Sequence, residues 1–524
     1  MNEARLHQLR PRGRVRHGRA IRAWLGLTLV GGLLLGETEP TVPRSITLRE
    51  CLVLALENNR DLQIERINPE VARATLESSQ GLYDPVLLSE VRRESSSDTG
   101  GLDPTDFSRD AIYQAESISS RLGLTGVLPT GLSYTLGGTY ANSFGLRNGL
   151  DFESYSLFAG ITVSQPLLRN FWIDQGRLTI QVNRKNLRIT ELGVRYLAMD
   201  VVNRVQQAFV ELQLARESGA IQEELLGWRR KTLRGIERKV EQGLSIPAEV
   251  LPSQTQLALG EADLWAHRRD VAVAESRLKN LLSEDVLHEP LTELRPVEPL
   301  WAMPEPLDLR QSWQRGLEQR PDLAQLREDV GKADLDLKYR RNQLFPSLDL
   351  VAGYGRRGAS TDQLPPPLEA SASLSDAFGQ IRDASAPSDM IGVIFSLPLS
   401  RATERANHRV SRQLKAQTEL RVKQREDLVV QEIAEAMSRA RAGLERVDAA
   451  RRASDFARQA LEAEERKLAG GASTLFFVLQ LQTDLASACT TEVRALAEYH
   501  QARAQLHFAE GSILDRHQLT LIAE

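Results

Sequence analysis

The 524-residue sequence has only two cysteines, few aromatic residues and, after its first 36 residues, no long apolar run. Cys51 and Cys489 are far apart in the chain, and no histidine cluster accompanies either of them. This spacing excludes a zinc site and a thioredoxin-like cysteine pair, so both residues are interpreted as small apolar helix residues. A membrane-spanning helix needs about 20 apolar residues. The remaining sequence therefore does not belong to a helical membrane protein.

Catalytic signatures are also missing from the sequence. It contains no phosphate-binding loop of the GxxxxGK[ST] type, no nucleophile elbow and no HExxH motif. The eight histidines are scattered. His500 and His507 could share one helical face by spacing, but we interpret them as solvated helix residues rather than as a pair of metal ligands. We therefore expect a non-enzymatic protein with no catalytic residue, no metal site and no cofactor.

The first 36 residues differ from the rest of the chain. Seven arginines precede the apolar run Ala23–Gly36, a pattern typical of a secretory signal peptide. A one-span membrane anchor is the alternative, although the run is shorter than a spanning helix requires. Removal of residues 1–36 eliminates seven positive charges and one negative charge, which changes the formal net charge from −4 to −10. An acidic mature chain argues against nucleic acid as a partner.

The rest of the sequence contains an internal repeat, in which the same segments recur in the same order. The segment that begins at Ile46 matches the segment that begins at Leu307, and two further pairs of segments match in the same order. Those later pairs begin at Gly160 and Gly392 and at Glu237 and Glu465. A proline-rich stretch separates the copies. The sequence predicts a first repeat over 45–285, a linker over 286–306, a second repeat over 307–514 and a tail over 515–524.

Each repeat predicts a short helix, a second helix, a strand region, a long helix and a return helix. The long helices are expected over 174–241 and 402–469, and the return helices over 247–283 and 475–511. Residues of the strand regions alternate between apolar and small or polar, which indicates strands with two unlike faces. Two strands per repeat are the default expectation. The alternative is four strands in the first repeat, with 132–142 paired to 117–127.

Strands that enter a membrane must close into a barrel, because lipid offers no partner for an open sheet edge. About eight strands form the smallest usual barrel. The expected four strands in one chain are too few, so the chain must oligomerise if its strands lie in a membrane.

The order of elements resembles the TolC-like outer-membrane efflux protein family over residues 45–514. The opening motif Leu48–Leu62 is similar to the family pattern, with Arg60 where proline is usual, and Gln165-Pro-Leu-Leu168 is also typical. The resemblance implies a mainly α fold with β: long antiparallel helical hairpins that form a trimeric α-barrel, topped by a transmembrane β-barrel. It further implies a homotrimer in outer-membrane lipid that crosses the periplasm, docks to a periplasmic adaptor (membrane fusion) protein and relies indirectly on an inner-membrane pump.

The hairpin turns are the candidate functional sites under this resemblance. Adaptor docking is expected at the two tips, which consist of Gly243, Leu244, Ser245, Ile246, Gly471, Ala472, Ser473 and Thr474. A candidate periplasmic gate follows each turn, at Glu249 and at Phe477, where the family has an acidic residue. The predicted function is a passive outer-membrane exit duct of a tripartite efflux pump or a type I secretion system. The alternative is a periplasmic coiled-coil structural or adaptor protein without a pore.

Overall fold

The computed structural model describes residues 44–98, 113–147, 150–243, 246–282, 293–362 and 371–519, and the account below is confined to them. The helices are α1 (Leu48–Asn58), α2 (Arg60–Gln80), α3 (Gln175–Glu241), α4 (Val250–Leu282), α5 (Leu309–Gln319), α6 (Pro321–Asn342), α7 (Leu374–Arg382), α8 (Ala402–Ala469), α9 (Leu475–Glu510) and α10 (Ile513–Arg516). The strands are β1 (Arg44–Ile46), β2 (Val86–Asp98), β3 (Tyr113–Val127), β4 (Ser133–Arg147), β5 (Leu150–Pro166), β6 (Leu294–Pro296), β7 (Ser347–Thr361) and β8 (Pro387–Ser396). The fold is mainly helical with strands, as expected.

Two long helical hairpins dominate the fold, and their bounds confirm the prediction from sequence. Helix α3 has 67 residues and α8 has 68, so each is about 100 Å long at 1.5 Å per residue. The return helices α4 and α9 pack along them. Helix α2 also packs against α3, and α6 packs between α3 and α8. The four helices nearest the sheet are therefore arranged in the order α2, α3, α6, α8.

The short helices α1 and α5 occupy equivalent places in the two repeats. Helix α1 begins at a capping box, in which Thr47 accepts a hydrogen bond from the backbone N–H of Glu50 and the Glu50 side chain accepts one from Thr47. Asp308 caps α5 through its side chain. Helix α1 buries its apolar side against α3, and α5 buries its own against α8 and α9. In each repeat the short helix thus packs on the hairpin of that repeat.

The main sheet has six antiparallel strands in the order β2-β3-β4-β5-β7-β8. The default expectation of two strands in the first repeat is wrong, because that repeat contributes four. The alternative is confirmed: β3 pairs with β4, with Leu124 opposite Leu136. Two features that sequence reasoning did not anticipate are α7, between β7 and β8, and a parallel pair of β1 with β6. Among the described residues, no helix is both long and apolar enough to span a membrane.

Candidate functional site

Both hairpins turn at a glycine with left-handed backbone, as the sequence predicted. Gly243 has φ +67° and Gly471 has φ +76°. At the C-terminal end of α8, the Gly471 N–H donates to the carbonyl of Leu468 at 3.1 Å, and the Ala472 N–H donates to the carbonyl of Lys467 at 2.8 Å. This is the bonding of a Schellman motif, which pairs the last carbonyls of a helix. A Cβ at either glycine would meet no atom within 4 Å, so the backbone angle alone demands glycine there.

Only part of the first tip is described by the structure. Leu244 and Ser245 lie outside the described residues, as does the side chain of Glu249. Ile246 is exposed and precedes a single 3₁₀ turn, Pro247–Glu249, that leads into α4. The proposed gate role of Glu249 therefore stays a prediction.

The second tip is held by polar contacts between the end of α8 and the turn. Glu464 accepts hydrogen bonds from Lys467, at 2.8 Å, and from the hydroxyl of Ser473. These bonds, with that from Lys467 the stronger, hold the pKa of the Glu464 carboxyl below its usual value. Thr474 takes the N-cap position of α9, but its side chain makes no capping bond. The turn is therefore tied to α8 rather than to α9.

Two aromatic rings stand exposed immediately after the second turn. Phe476 and Phe477 are 69% and 54% exposed, and their rings meet edge to face with centroids 5.8 Å apart. The next residue, Val478, is buried with Leu461 and Leu485 in the core between α8 and α9. The tip thus presents an apolar pair to its surroundings at the place where the resemblance implies an acidic residue.

A buried arginine near the tips was missed by sequence reasoning. Arg229 on α3 is only 5% exposed, and it donates hydrogen bonds to the carbonyl of Gln256 on α4 and to the hydroxyl of Thr483 on α9, at 2.9 and 3.3 Å. Burial lowers its pKa, and Asp263 opposes that effect in part. The signal was present, because Arg229 occupies a position on the buried face that continues to Leu233 and Ile236.

The six-stranded sheet is a second candidate functional surface, because its two faces differ in chemistry. The cross-strand partners Leu87, Leu124, Leu136, Ile161 and Tyr354 form one row through five strands. On β8 the partner of Tyr354 is Asp389, and the same face carries exposed Ile391, Val393 and Phe395. The opposite face is built largely from glycine, serine, threonine and charged residues, among them Arg121, Gly123, Gly137, Thr139, Thr162, Gly353 and Arg357. Such a sheet suits lipid on one side and water on the other.

Comparisons with known proteins agree with this architecture. Residues 313–512 match the family described as outer membrane efflux protein. The chain is 24% identical over 382 residues to the alkaline protease secretion protein AprF of Pseudomonas aeruginosa, an alignment that covers 71% of the chain and 73% of AprF. The fold is similar to the outer-membrane channel OprN (TM-score 0.65, 17% identity, 89% and 90% of the two chains). It is also similar to the CmeC outer membrane channel of Campylobacter jejuni (TM-score 0.61, 16% identity, 92% and 91%).

Proposed function

We propose that the chain, whose residues 313–512 match the outer membrane efflux protein family, is the outer-membrane channel subunit of a tripartite efflux pump or a type I secretion system. It acts as a passive, non-enzymatic exit duct with a large periplasmic portion, docked to a periplasmic adaptor and dependent on an inner-membrane pump. The observation that carries the proposal is the six-stranded sheet, in which one face carries an apolar row through five strands and exposed apolar residues on β8. Such a face argues against the alternative, a periplasmic adaptor or coiled-coil structural protein, because soluble proteins rarely expose a large apolar surface.

The assembly we propose is a trimer, and the two sides of the chain support it. Among the described strands, β2 and β8 are the sheet edges and each has one partner. The helices that adjoin these strands, α2 and α8, likewise end the row of helices. Both carry apolar side chains that nothing in the described chain covers: Ile64, Ile67 and Val71 on α2, and Val410 and Leu414 on α8. The α2–β2 side of one copy can therefore pack against the α8–β8 side of the next.

Closure of this head-to-tail contact around a threefold axis gives a barrel of eighteen strands, six from each chain. Barrels of about 16–18 strands leave an aqueous channel, whereas about eight strands leave an interior filled by side chains. In the closed barrel the apolar face lies toward lipid and the face rich in glycine, serine and threonine lines the lumen. The sheet thus provides a wide exit above the helical tunnel.

An intermolecular disulfide tests the proposed closure. Leu87 lies near the start of β2 and Phe395 near the end of β8, so both lie at the helical end of the sheet and on its apolar face. The double variant Leu87→Cys, Phe395→Cys is expected to form a covalent trimer on oxidation in the membrane, in a chain whose native cysteines are replaced by alanine. Each single variant should stay monomeric on a non-reducing gel.

The matched control pairs Leu136→Cys, on the central strand β4, with Phe395→Cys. Because β4 has neighbours on both sides within its own chain, this pair should give no intermolecular product. Equal cross-linking of both pairs, or a protein in lipid with the mass of one chain, would overturn the trimer closed through these edges.

We also propose that the two helical tips contact the adaptor and that the gate lies beside them. Exposed Ile246 and Phe476 give the tips apolar surface, and the glycine turns allow a close approach by another backbone. Opening of the tip is then the regulated step, since an adaptor that binds the open arrangement more tightly shifts the population toward it.

A further inference from the structure

The short helix α7 lies on the apolar face of the sheet, where the proposed function places lipid. A Cβ at Gly358 of β7 points to that face and would stand 1.9 Å from the carbonyl oxygen of Ala377 on α7. The helix therefore approaches the strand as closely as only glycine allows. Leu157, the cross-strand neighbour of Gly358 on β5, is buried, as is Ala377. Helix α7 thus packs directly on β5 and β7.

Hydrogen bonds fix α7 to the edge of β7 beyond the end of β8. The side chain of Gln380 accepts from the N–H of Ala359 at 3.1 Å and donates to its carbonyl at 2.9 Å. Arg356 donates to the carbonyl of Ile381 at the end of the helix, at 3.1 Å. Since β8 begins only at Pro387, Gln380 takes the place of a neighbouring strand at Ala359. These hydrogen bonds hold α7 in a fixed position against β7.

The two flanks of α7 that do not face the sheet differ in chemistry. Leu374 and Phe378 are four residues apart, share one flank and are 40% and 61% exposed. Asp376 projects on the opposite flank by the helical period, and just past the helix end Asp383 pairs with exposed Arg382 at 2.9 Å. A nine-residue helix is far too short to span a bilayer. An amphipathic helix on a membrane protein can instead lie in the plane of the interface, with its apolar flank among the lipids and its polar flank in water.

The position of α7 along the strand matches that interface. Gly358 is eleven residues beyond Ser347, where β7 leaves the helical part of the fold, so it lies about 36 Å along the strand at about 3.3 Å per residue. Barrel strands tilt by about 35–45°, which reduces that distance to about 25–30 Å of height, and the apolar band of an outer-membrane barrel is about 25 Å tall. Helix α7 therefore lies at the outer boundary of the proposed lipid-facing band.

From these observations we infer that α7 is an interfacial helix that inserts Leu374 and Phe378 among the lipids of the outer leaflet. Its apolar flank continues the lipid-facing surface of the sheet, and its acidic flank stays in water. This inference rests on the proposed function, because it requires that the apolar face of the sheet lies in a bilayer. An interfacial helix attached to β7 would fix how deeply the sheet lies in the membrane.

Spin labels that report collision with oxygen or with a nickel chelate test the inference. Three variants, Phe378→Cys, Asp376→Cys and Ile391→Cys, are made in the full chain with Cys51 and Cys489 replaced by alanine. Each is labelled with a nitroxide in vesicles of phosphatidylethanolamine and phosphatidylglycerol, as assembled trimers. Ile391, which is 80% exposed on the apolar face of β8, reports on the sheet itself. Leu374→Cys provides a second probe of the apolar flank should Phe378→Cys fail to assemble.

Oxygen partitions into lipid and the nickel chelate into water, so the ratio of the two collision rates separates the environments. We expect labels at 378 and 391 to have a severalfold higher oxygen-to-nickel ratio than the label at 376. Lipid contact at 391 with water contact at 378 would overturn the interfacial helix and leave the channel proposal intact. Water contact at 391 would overturn both. A label at 378 shielded from both reagents would mean that protein rather than lipid covers the flank, which also overturns the inference.

Discussion

Arg229 on α3 donates a hydrogen bond from Nη2 to Oγ1 of Thr483 on α9, 3.3 Å away, and so joins the first helical hairpin to the second. Its Nη1 also donates to the carbonyl of Gln256 on α4. The guanidinium has room for these bonds because Gly260 lies opposite: a Cβ at position 260 would stand 2.7 Å from Nη1. This contact of Arg229 with Thr483 and Gln256, called the Arg229 joint below, lies twelve residues before the end of α3, or about 18 Å from the tip.

Enlargement of Gly260 should break this joint. We expect Gly260→Leu to displace the buried guanidinium from the carbonyl of Gln256, leave its N–H groups unpaired and cost about 1–3 kcal/mol. The temperature at which the trimer dissociates should fall, and closed channels in planar bilayers should leak more often. Gly235→Leu on α3 is the control, because a Cβ there meets no atom within 4 Å and leucine is the better helix former. Equal behaviour of the two variants would contradict a joint at Arg229.

The tip glycines offer a second test, in which neighbouring positions serve as controls. Gly471→Ala places an L-residue at φ +76°, which costs about 1–2 kcal/mol without any clash. We expect export to fall strongly while trimers still assemble and insert, and the same for Gly243→Ala. Gly470→Ala should keep export near the native level, since Gly470 has an ordinary φ of −84°. Docking through the turns would be contradicted if Gly470→Ala alone lost export, or if both Gly471→Ala and Gly470→Ala kept it.

The long hairpins were predictable because their signals are local and repeated. Apolar residues return every three or four positions over 67 residues of α3, and one glycine with left-handed backbone ends each arm. The tandem repeat supported the prediction a second time, because both halves of the sequence indicate the same order of helices and strands. In α1, Thr47 and Glu50 mark the helix start by their identity and spacing alone.

The strand count and the fine structure of the site were not predictable in the same way. Strands β3 and β4 are rich in glycine and serine, so their two faces contrast weakly and their alternation is faint. Helix α7 has nine residues and is held by Gly358 and Gln380, contacts that exist only once β7 and β8 are in place. The bonds of Arg229 to Thr483 join residues 254 positions apart, and no local pattern specifies such a pair.

Acidification should weaken the contact between the segment 301–307 and α9. Burial lowers the pKa of His500 and of His507 to about 4, and at His507 burial together with Arg503 and Arg516 outweighs Glu305, 3.5 Å away. In the unfolded chain histidine titrates near 6.5, so below that pH the unfolded state binds more protons than the fold does. The stabilisation is fully present above pH 6.5 and is lost as the pH falls toward 4, by up to about 3 kcal/mol per histidine.

The measurement is the temperature of trimer dissociation between pH 7.5 and pH 4.5. We expect it to fall across this range in the native protein and to fall less in His500→Gln, His507→Gln, whose side chains do not titrate. His408→Gln is the control for an exchange outside this contact, because His408 lies near the start of α8. An unchanged slope in the double variant would assign the acid sensitivity to other groups.

The apolar pair at the second tip provides the most direct test of the proposed gate. If Phe477 packs against neighbouring tips in the closed trimer, Phe477→Ala removes apolar contacts from the closed state that the open state lacks, and the population shifts toward open channels. We expect a higher open probability, and so a higher time-averaged conductance, of single channels in planar bilayers. Phe456→Ala, which truncates an exposed phenylalanine within α8 and away from the turn, should leave conductance unchanged. Glu249→Ala should alter the preference for cations more than conductance, because it removes a negative charge close to the proposed constriction. If Phe477→Ala and Glu249→Ala both behave like the native channel, the gate lies elsewhere on the helices.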